Sequence, residues 1–213
     1  EEDEETFLAE VSCIAQHTNT YHAVAYLRLP LANPAVGGQN KSVLVDPAGQ
    51  ARWHYLKAHP VPGSTDKKGD GVLPVIQTPY GNWSAAICYD MDFTPLIRQA
   101  GRQGVDIMTV PAWDWRAIDP LHARMASFRA IENGFSMLRQ TGMGRSLAVD
   151  PYGRVLSSMS YFDPGDQVMH AQLPLESVRT VYALLGDWFA WLCGAPLLWV
   201  LASGIRSDAR DHG

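Results

Sequence analysis

The stretch from 83 to 100 constrains this chain more than any other. Trp83-Ser84-Ala85-Ala86-Ile87 is a short, mostly apolar run with the character of a buried strand. It stops at Cys88, and Pro95 then opens the helical pattern Leu96-Ile97-Arg98-Gln99-Ala100, with proline in a first turn where its missing N–H costs nothing. A thiol at such a junction sits near backbone N–H groups and a helix N-terminus, surroundings that favour thiolate and can hold an oxyanion. A lone cysteine is by default a small buried hydrophobe. The rest of the chain moves Cys88 out of that class.

Strands and helices alternate from residue 5 to about 173. Apolar residues Phe7, Leu8, Val11, Ile14 and Ala15 share one helical face, behind an acidic run 1–5 that reads as a solvated helix start. Cys13 falls beside that stripe and is expected to be packed. Strand patterns follow at 23–29, 41–45 and 51–56, the last two joined as a hairpin by Asp46-Pro47-Ala48-Gly49. Further strands are expected at 73–78, 105–110, 135–140, 146–149, 154–157 and 168–173, and a helix at 120–132 stopped by Asn133-Gly134. The loop 111–115, Pro-Ala-Trp-Asp-Trp, separates the 105–110 strand from that helix. Hairpins interrupting the alternation predict an α/β layered sandwich with mixed sheets rather than a purely parallel doubly wound one.

With 213 residues, 46% of them hydrophobic and 18% charged, the chain is long enough for one sizeable core and is not of disordered composition. A net charge of -5 without a basic stripe gives no reason to expect nucleic acid as a partner. Cys13, Cys88 and Cys193 have neither metal-ligand spacing nor an even-numbered disulfide framework. No cofactor or metal is called for.

The tail differs in kind. Residues 188–205 include no charged side chain, and Arg206, Asp208, Arg210 and Asp211 follow. As a helix the run would span roughly 27 Å, near the ~30 Å of a bilayer's hydrocarbon core. The expectation is a transmembrane helix with Arg206 and Arg210 on the cytoplasmic side. A buried core helix is the competing reading.

A cysteine nucleophile needs a proton acceptor and something to hold the tetrahedral oxyanion. His17, His22, His54, His59, His122, His170 and His212 are scattered, with no local pattern tying any of them to Cys88, so each reads as structural or exposed. Lys57, at a strand end beside Pro60, Pro62 and Gly63, is the more interesting partner, because an ammonium favours a charged sulfur and can face an oxyanion. Arg129 and Glu132 share a helical face and read as a structural pair. Asp90 reads either as a helix cap or as part of the site's electrostatics.

Four segments, in order, resemble the carbon–nitrogen hydrolase (nitrilase) superfamily. They are Lys57-Ala58-His59-Pro60-Val61-Pro62-Gly63, Ile87-Cys88-Tyr89-Asp90-Met91-Asp92-Phe93, Arg129-Ala130-Ile131-Glu132-Asn133-Gly134 and the run 144–154 from Gly144-Arg145-Ser146 to Tyr152-Gly153-Arg154. The resemblance implies an αββα sandwich and a Glu-Lys-Cys catalytic set. In that set Cys88 is the nucleophile and Lys57 holds the oxyanion with help from the backbone N–H of Tyr89. Asp90 and Trp113 would lie beside substrate. The tail, Thr180-Val181-Tyr182-Ala183-Leu184-Leu185-Gly186-Asp187-Trp188 entering the apolar run, is most similar to the C-terminal part of the apolipoprotein N-acyltransferases within that superfamily.

That likeness implies a catalytic domain over 1–180, a membrane helix over 181–205 and a polar tail over 206–213. It implies a cell-membrane location with the catalytic domain on the extracytoplasmic face. A phospholipid would donate an acyl chain through a Cys88 thioester, and the N-terminal amine of a lipoprotein would accept it. The alternatives are a nitrilase-type amidohydrolase acting on a small amide C–N bond, and a membrane-anchored nitrilase-like module that binds without turnover. The chain departs from the pattern at Thr65, where the family commonly carries a second glutamate, at Asp90, where the acyltransferases often have glutamate, and at Trp113-Asp114-Trp115, which stands for Asn-Asp-x-Trp. The chain begins at Glu1 rather than methionine, with no signal peptide ahead of it, as a fragment or a processed chain would. The family's catalytic glutamate is expected upstream of residue 1, which predicts that these residues alone are inactive.

Overall fold

Side-chain alternation in a single strand shows how the layers of this protein stack. The computed structural model describes residues 2–30, 36–165 and 167–211. Strand β2 (Gln39–Val45) lies between β1 (His22–Arg28) and β3 (Ala51–Leu56) in a three-stranded antiparallel sheet. Val43 and Val45 point to one side, where they pack with Val11 and Ala15 of helix α1 (Glu2–Thr18). Leu44 points to the other side and joins the main core with Trp53 and Tyr55 of β3. A period of two therefore places a helix on one face of this sheet and a second sheet on the other.

That second sheet has six strands, β4 (Val75–Thr78), β5 (Gly81–Ala85), β6 (Ile107–Trp113), β7 (Ser136–Gly142), β8 (Arg145–Val149) and β9 (Val155–Ser160), in that order. The β5–β6 and β6–β7 pairs are parallel and the outer pairs antiparallel. Helices α2 (Thr94–Arg102) and α3 (Asp119–Asn133) bury Leu96, Ile97, Ala100, Ala123, Ala126 and Ala130 in the same core cluster as Met108, Val110 and Met137 of the sheet. The layers run helix, sheet, sheet, helix, the mixed-sheet α/β sandwich expected from the alternation.

Several elements differ in extent. Strand β6 continues through Pro111 to Trp113 in intact register with β7, where a loop was expected. Pairing of β6 with β5 ends at Thr109, so beyond it one side of β6 has no ladder and a residue without an N–H is tolerated there. The strand expected at 168–173 does not form. The segment after it is instead a strap tied to element ends, with Ser136 Oγ donating to Pro174 O (2.8 Å), Ser177 N to Asp106 Oδ1 (2.9 Å) and Val178 N to Gly134 O (2.7 Å). Gly134 ends α3 with φ +71°, and a Cβ there would lie 1.8 Å from Val178 O, so the strap requires glycine. Cys13 is exposed rather than packed, because the apolar stripe of α1 turns past it. The acidic run is not wholly solvated, since Glu4 accepts from Tyr26 Oη and Lys41 Nζ, both at 2.7 Å.

The membrane expectation is overturned. Helix α4 (Val181–Leu185) ends at Gly186, and α5 (Trp188–Asp211) follows. Among the described residues no helix is long and apolar enough to cross a membrane. The part of α5 with described side chains, 188–200, covers about 20 Å against ~30 Å of hydrocarbon. Within it Trp188, Trp191 and Trp199 are residues of interfaces rather than hydrocarbon, and Gly194 and Pro196 dilute it further. The fold class therefore stands as the sandwich without a transmembrane helix. The expected membrane partner, phospholipid donor, lipoprotein acceptor and extracytoplasmic placement fall with the helix that implied them. The core-helix reading fares no better, since Phe189, Trp191, Leu197, Leu198 and Trp199 are all exposed.

Candidate active site

Three parallel strands deliver their carboxyl ends to one place, the position where open α/β sheets present functional groups. After β5 the chain runs two residues further and enters a single 3-10 turn, Cys88–Asp92. Cys88 has φ +49°, a left-handed conformation that costs a non-glycine residue about 1–3 kcal/mol and persists only where its surroundings enforce it. Its thiol is buried and points at Trp113 O, 3.7 Å away at the end of β6.

What enforces the turn is Asp90, fully buried. Its Oδ2 accepts from Ile87 N (3.1 Å), capping the turn from inside, and from Tyr55 Oη (2.8 Å). Its Oδ1 accepts from His59 N (2.7 Å). Asp90 is thus a cap and also a latch, because Tyr55 and His59 bracket Lys57. Burial first, then the Asp90 carboxylate, push the Tyr55 phenol well above its ordinary pKa, so it stays a donor.

Lys57 is itself buried and fixed through its backbone, its N–H donating to Asn40 O and its carbonyl accepting from Gly69 N, both at 2.9 Å. The His59 ring stacks on Phe93 at 3.6 Å, and Tyr89 meets Phe93 edge-on at 5.1 Å, forming an aromatic wall on this side. Trp113 contributes its carbonyl to Cys88, while the residue as a whole is 68% exposed. Arg129 and Glu132 form the expected pair at 2.8 Å.

The opposite wall escaped the sequence reading. Asp114, the residue after β6, is buried and takes both Arg139 Nη2 contacts, at 3.1 and 3.0 Å, and His122 Nδ1 at 2.7 Å. His122 comes from the first turns of α3 and the fully buried Arg139 from β7. Arg139 Nη1 also bonds Thr141 Oγ1. Gly144 lets this wall close, since a Cβ there would lie 2.9 Å from that of Asp114. Burial alone would raise the Asp114 pKa, but the His122 hydrogen bond and the Arg139 charge outweigh it and hold the carboxyl below its usual range. For His122, burial works against the charged ring, yet hydrogen bonds to Asp114 and Asp92 lift its pKa above the ordinary value. Histidine count and scatter concealed this residue. The usable signal was a histidine one turn into the helix that follows the Trp113-Asp114 strand end.

Donor atoms of Cys88, Asp114 and His122 lie within 4.8 Å of one another. The residue types suit a metal, but Arg139 already neutralises Asp114 and Asp114 already occupies His122 Nδ1. The arrangement is better suited to holding charge beside a thiol than to coordinating a cation.

Residues 1–183 match the family model for carbon-nitrogen hydrolases. The chain belongs to the carbon-nitrogen hydrolase family. Among curated proteins, this carbon-nitrogen hydrolase is 36% identical over 141 residues to the apolipoprotein N-acyltransferase of Gloeobacter violaceus, covering 65% of this chain and 26% of that protein. It is 30% identical over 138 residues to that of Vibrio vulnificus, covering 62% and 27%. The chain thus spans about a quarter of the length of these relatives. Among solved structures it resembles an amidase from Nesterenkonia sp., with a TM-score of 0.65, 19% identity and coverage of 76% of this chain and 64% of that one. It also resembles Nit3 of Saccharomyces cerevisiae, a member of branch 10 of the nitrilase superfamily, with a TM-score of 0.67, 23% identity and coverage of 77% and 63%. These likenesses establish the fold.

Proposed function

We propose that this carbon-nitrogen hydrolase acts as a nitrilase-type amidohydrolase through an acyl-thioester on Cys88. The Cys88 sulfur attacks the carbonyl carbon of a small amide, the C–N bond breaks as the nitrogen leaves protonated, and water then cleaves the thioester to a carboxylic acid and the free thiol. Lys57 and the backbone N–H of Tyr89 hold the oxyanion that forms at the carbonyl, and Trp113 borders the acyl group. The observation that carries this reading is the strained, buried Cys88 at the carboxyl ends of the parallel strands, tied through Asp90 to Tyr55 and His59, which bracket Lys57. A structure of a glutamate-to-glutamine mutant of a Nesterenkonia amidase bears the acetamide moiety of fluoroacetamide on its active-site cysteine, which makes that reagent a suitable probe.

A second reading shares the first half-reaction and changes the acceptor. The 30–36% identity to apolipoprotein N-acyltransferases favours an amine over water as the group that takes the acyl chain. Fluoroacetamide treatment followed by peptide mass spectrometry tests the nucleophile that both readings share. Covalent labelling of Cys88, absent in Cys88→Ala and slowed in Lys57→Met, whose lost ammonium no longer favours the thiolate, is the expected result. Labelling of exposed Cys13 and Cys193 with Cys88 untouched in the folded protein would sink both readings. Turnover of a simple amide with and without an added primary amine then separates them by whether free acid or a new amide is released.

A further inference from the structure

Resting on the reading of Cys88 as the nucleophile, we propose that His122 is a positioning residue for it. As a doubly donating imidazolium, the ring ties Asp92, last residue of the cysteine turn, to Asp114 at the end of β6. The turn Cys88–Asp92 is anchored on one side by Asp90, through Tyr55 of β3 and the His59 backbone. Asp92 supplies the opposite anchor. Its Oδ1 lies 3.4 Å from His122 Nε2, and His122 Nδ1 lies 2.7 Å from Asp114 Oδ1. The longer separation is that of an ion pair rather than a short hydrogen bond. Asp92 Oδ1 and His122 Nε2 are both buried with no hydrogen-bond partner among the described residues, so their mutual approach is what offsets the cost of burying them.

Two carboxylates decide the state of the ring. A carboxylate only accepts, so serving Asp92 and Asp114 together needs hydrogens on both ring nitrogens. A neutral ring would keep its hydrogen on Nδ1 and turn the Nε2 lone pair against Asp92. The groups facing the ring are Asp114 just past β6, Asp92 and Cys88 from the turn, and Arg139 from β7, whose Nη2 is 3.1 Å from Nδ1. Burial opposes the second proton most and the Arg139 charge adds to it, yet the contacts to Asp114 and Asp92 prevail and raise the ring's pKa. The consequence for the nucleophile is mechanical. Cys88 holds φ +49°, a conformation that persists only where the surroundings enforce it. Asp90 pins the turn toward β3 and Asp92 pins it toward α3, so five residues are held from two sides. In this role His122 exchanges no proton with substrate. Loss of its second proton releases Asp92, and the thiol loses its fixed direction.

NMR of the whole chain, with histidine rings and cysteine Cβ labelled and His122 assigned by its loss in His122→Gln, tests the clamp directly. Below pH 6.5 the His122 ring should carry hydrogens on both nitrogens, and its midpoint should lie above 6.5. The Cys88 Cβ resonance should move along that same titration. Asp92→Asn can donate its amide hydrogen to a neutral Nε2, so it should lower the midpoint and uncouple Cys88 from it. Reactivity gives a second readout, because fluoroacetamide labelling needs an aimed thiol whereas iodoacetamide alkylation needs only access. Asp92→Ala should lower the ratio of the first rate to the second by at least about tenfold, a misplacement of about 1 Å costing up to 10²-fold, and Asp92→Asn should restore most of it. A ring with one hydrogen below pH 6.5, or a Cys88 resonance indifferent to the His122 titration, overturns the inference. A folded Asp92→Ala with the parent ratio overturns it equally. Should that variant not fold, the NMR of the unaltered chain decides alone. If fluoroacetamide never labels Cys88 while the coupled titration is seen, the thioester reading fails and the clamp stands.

Discussion

Two buried carboxylates flank Cys88, and they are satisfied in opposite ways. Asp90 is met by the Ile87 and His59 backbone N–H groups and the Tyr55 hydroxyl, with the His59 ring 3.4 Å away. Asp114 is met by the Arg139 guanidinium and the His122 imidazole. The Asp90 wall fixes geometry, since its donors belong to the segments that must be held around the cysteine and Lys57. The Asp114 wall manages charge, since its partners are cationic or can become so. The difference teaches that burial of an acid near a nucleophile does not by itself say what the acid does; its donors do.

The sharpest way to break the comparison is to remove one acid at a time. Asp114→Leu leaves Arg139 buried and uncompensated, and urea unfolding should show a loss of about 3–5 kcal/mol. Asp90→Ala leaves three donors without an acceptor but no bare charge, and should cost less, about 2–3 kcal/mol, while slowing fluoroacetamide labelling because the Lys57 and Cys88 segments drift apart. Equal costs would erase the distinction between the walls.

Dependence on pH should belong to the Asp114 wall. The His122 pKa is raised from 6.5, so its contribution is fully present below 6.5 and is lost as pH rises through the higher folded value. The Asp114 pKa is lowered from 3.8, so its contribution is present above 3.8 and is lost as pH falls through the lower folded value. Between those limits the pair contributes most. The stability gap between the parent chain and His122→Gln, followed by urea midpoint, should therefore shrink as pH rises above 6.5, and a gap independent of pH would contradict the assignment. The smallest effect is expected outside both walls, where Arg129→Ala removes an i,i+3 pair at the helix surface for about 0.5 kcal/mol or less in the same assay.

Much of the sandwich was legible because its rules are local. Asp46-Pro47-Ala48-Gly49 turned β2 into β3 as its composition required, with Asp46 Oδ1 accepting from Ala48 N and Gln50 N. Asp150 does the same for Tyr152 N and Arg154 N between β8 and β9. The 168–173 run misled because extended composition cannot say whether a neighbouring edge is free to pair. The tail misled because absence of charge is not the same as apolarity, and three tryptophans, a glycine and a proline lie within 188–200.

The sequence alone determined the turn-forming residues, the layered α/β class and the family, because these follow from patterns a few residues long and motifs in fixed order. Tertiary structure decided what surrounds the thiol. Asp114, just past β6, His122 on α3 and Arg139 on β7 are spread over 26 positions, and no local spacing could announce that the fold brings them together. Buried electrostatics are made by distance in space, and only the folded sheet fixes those distances.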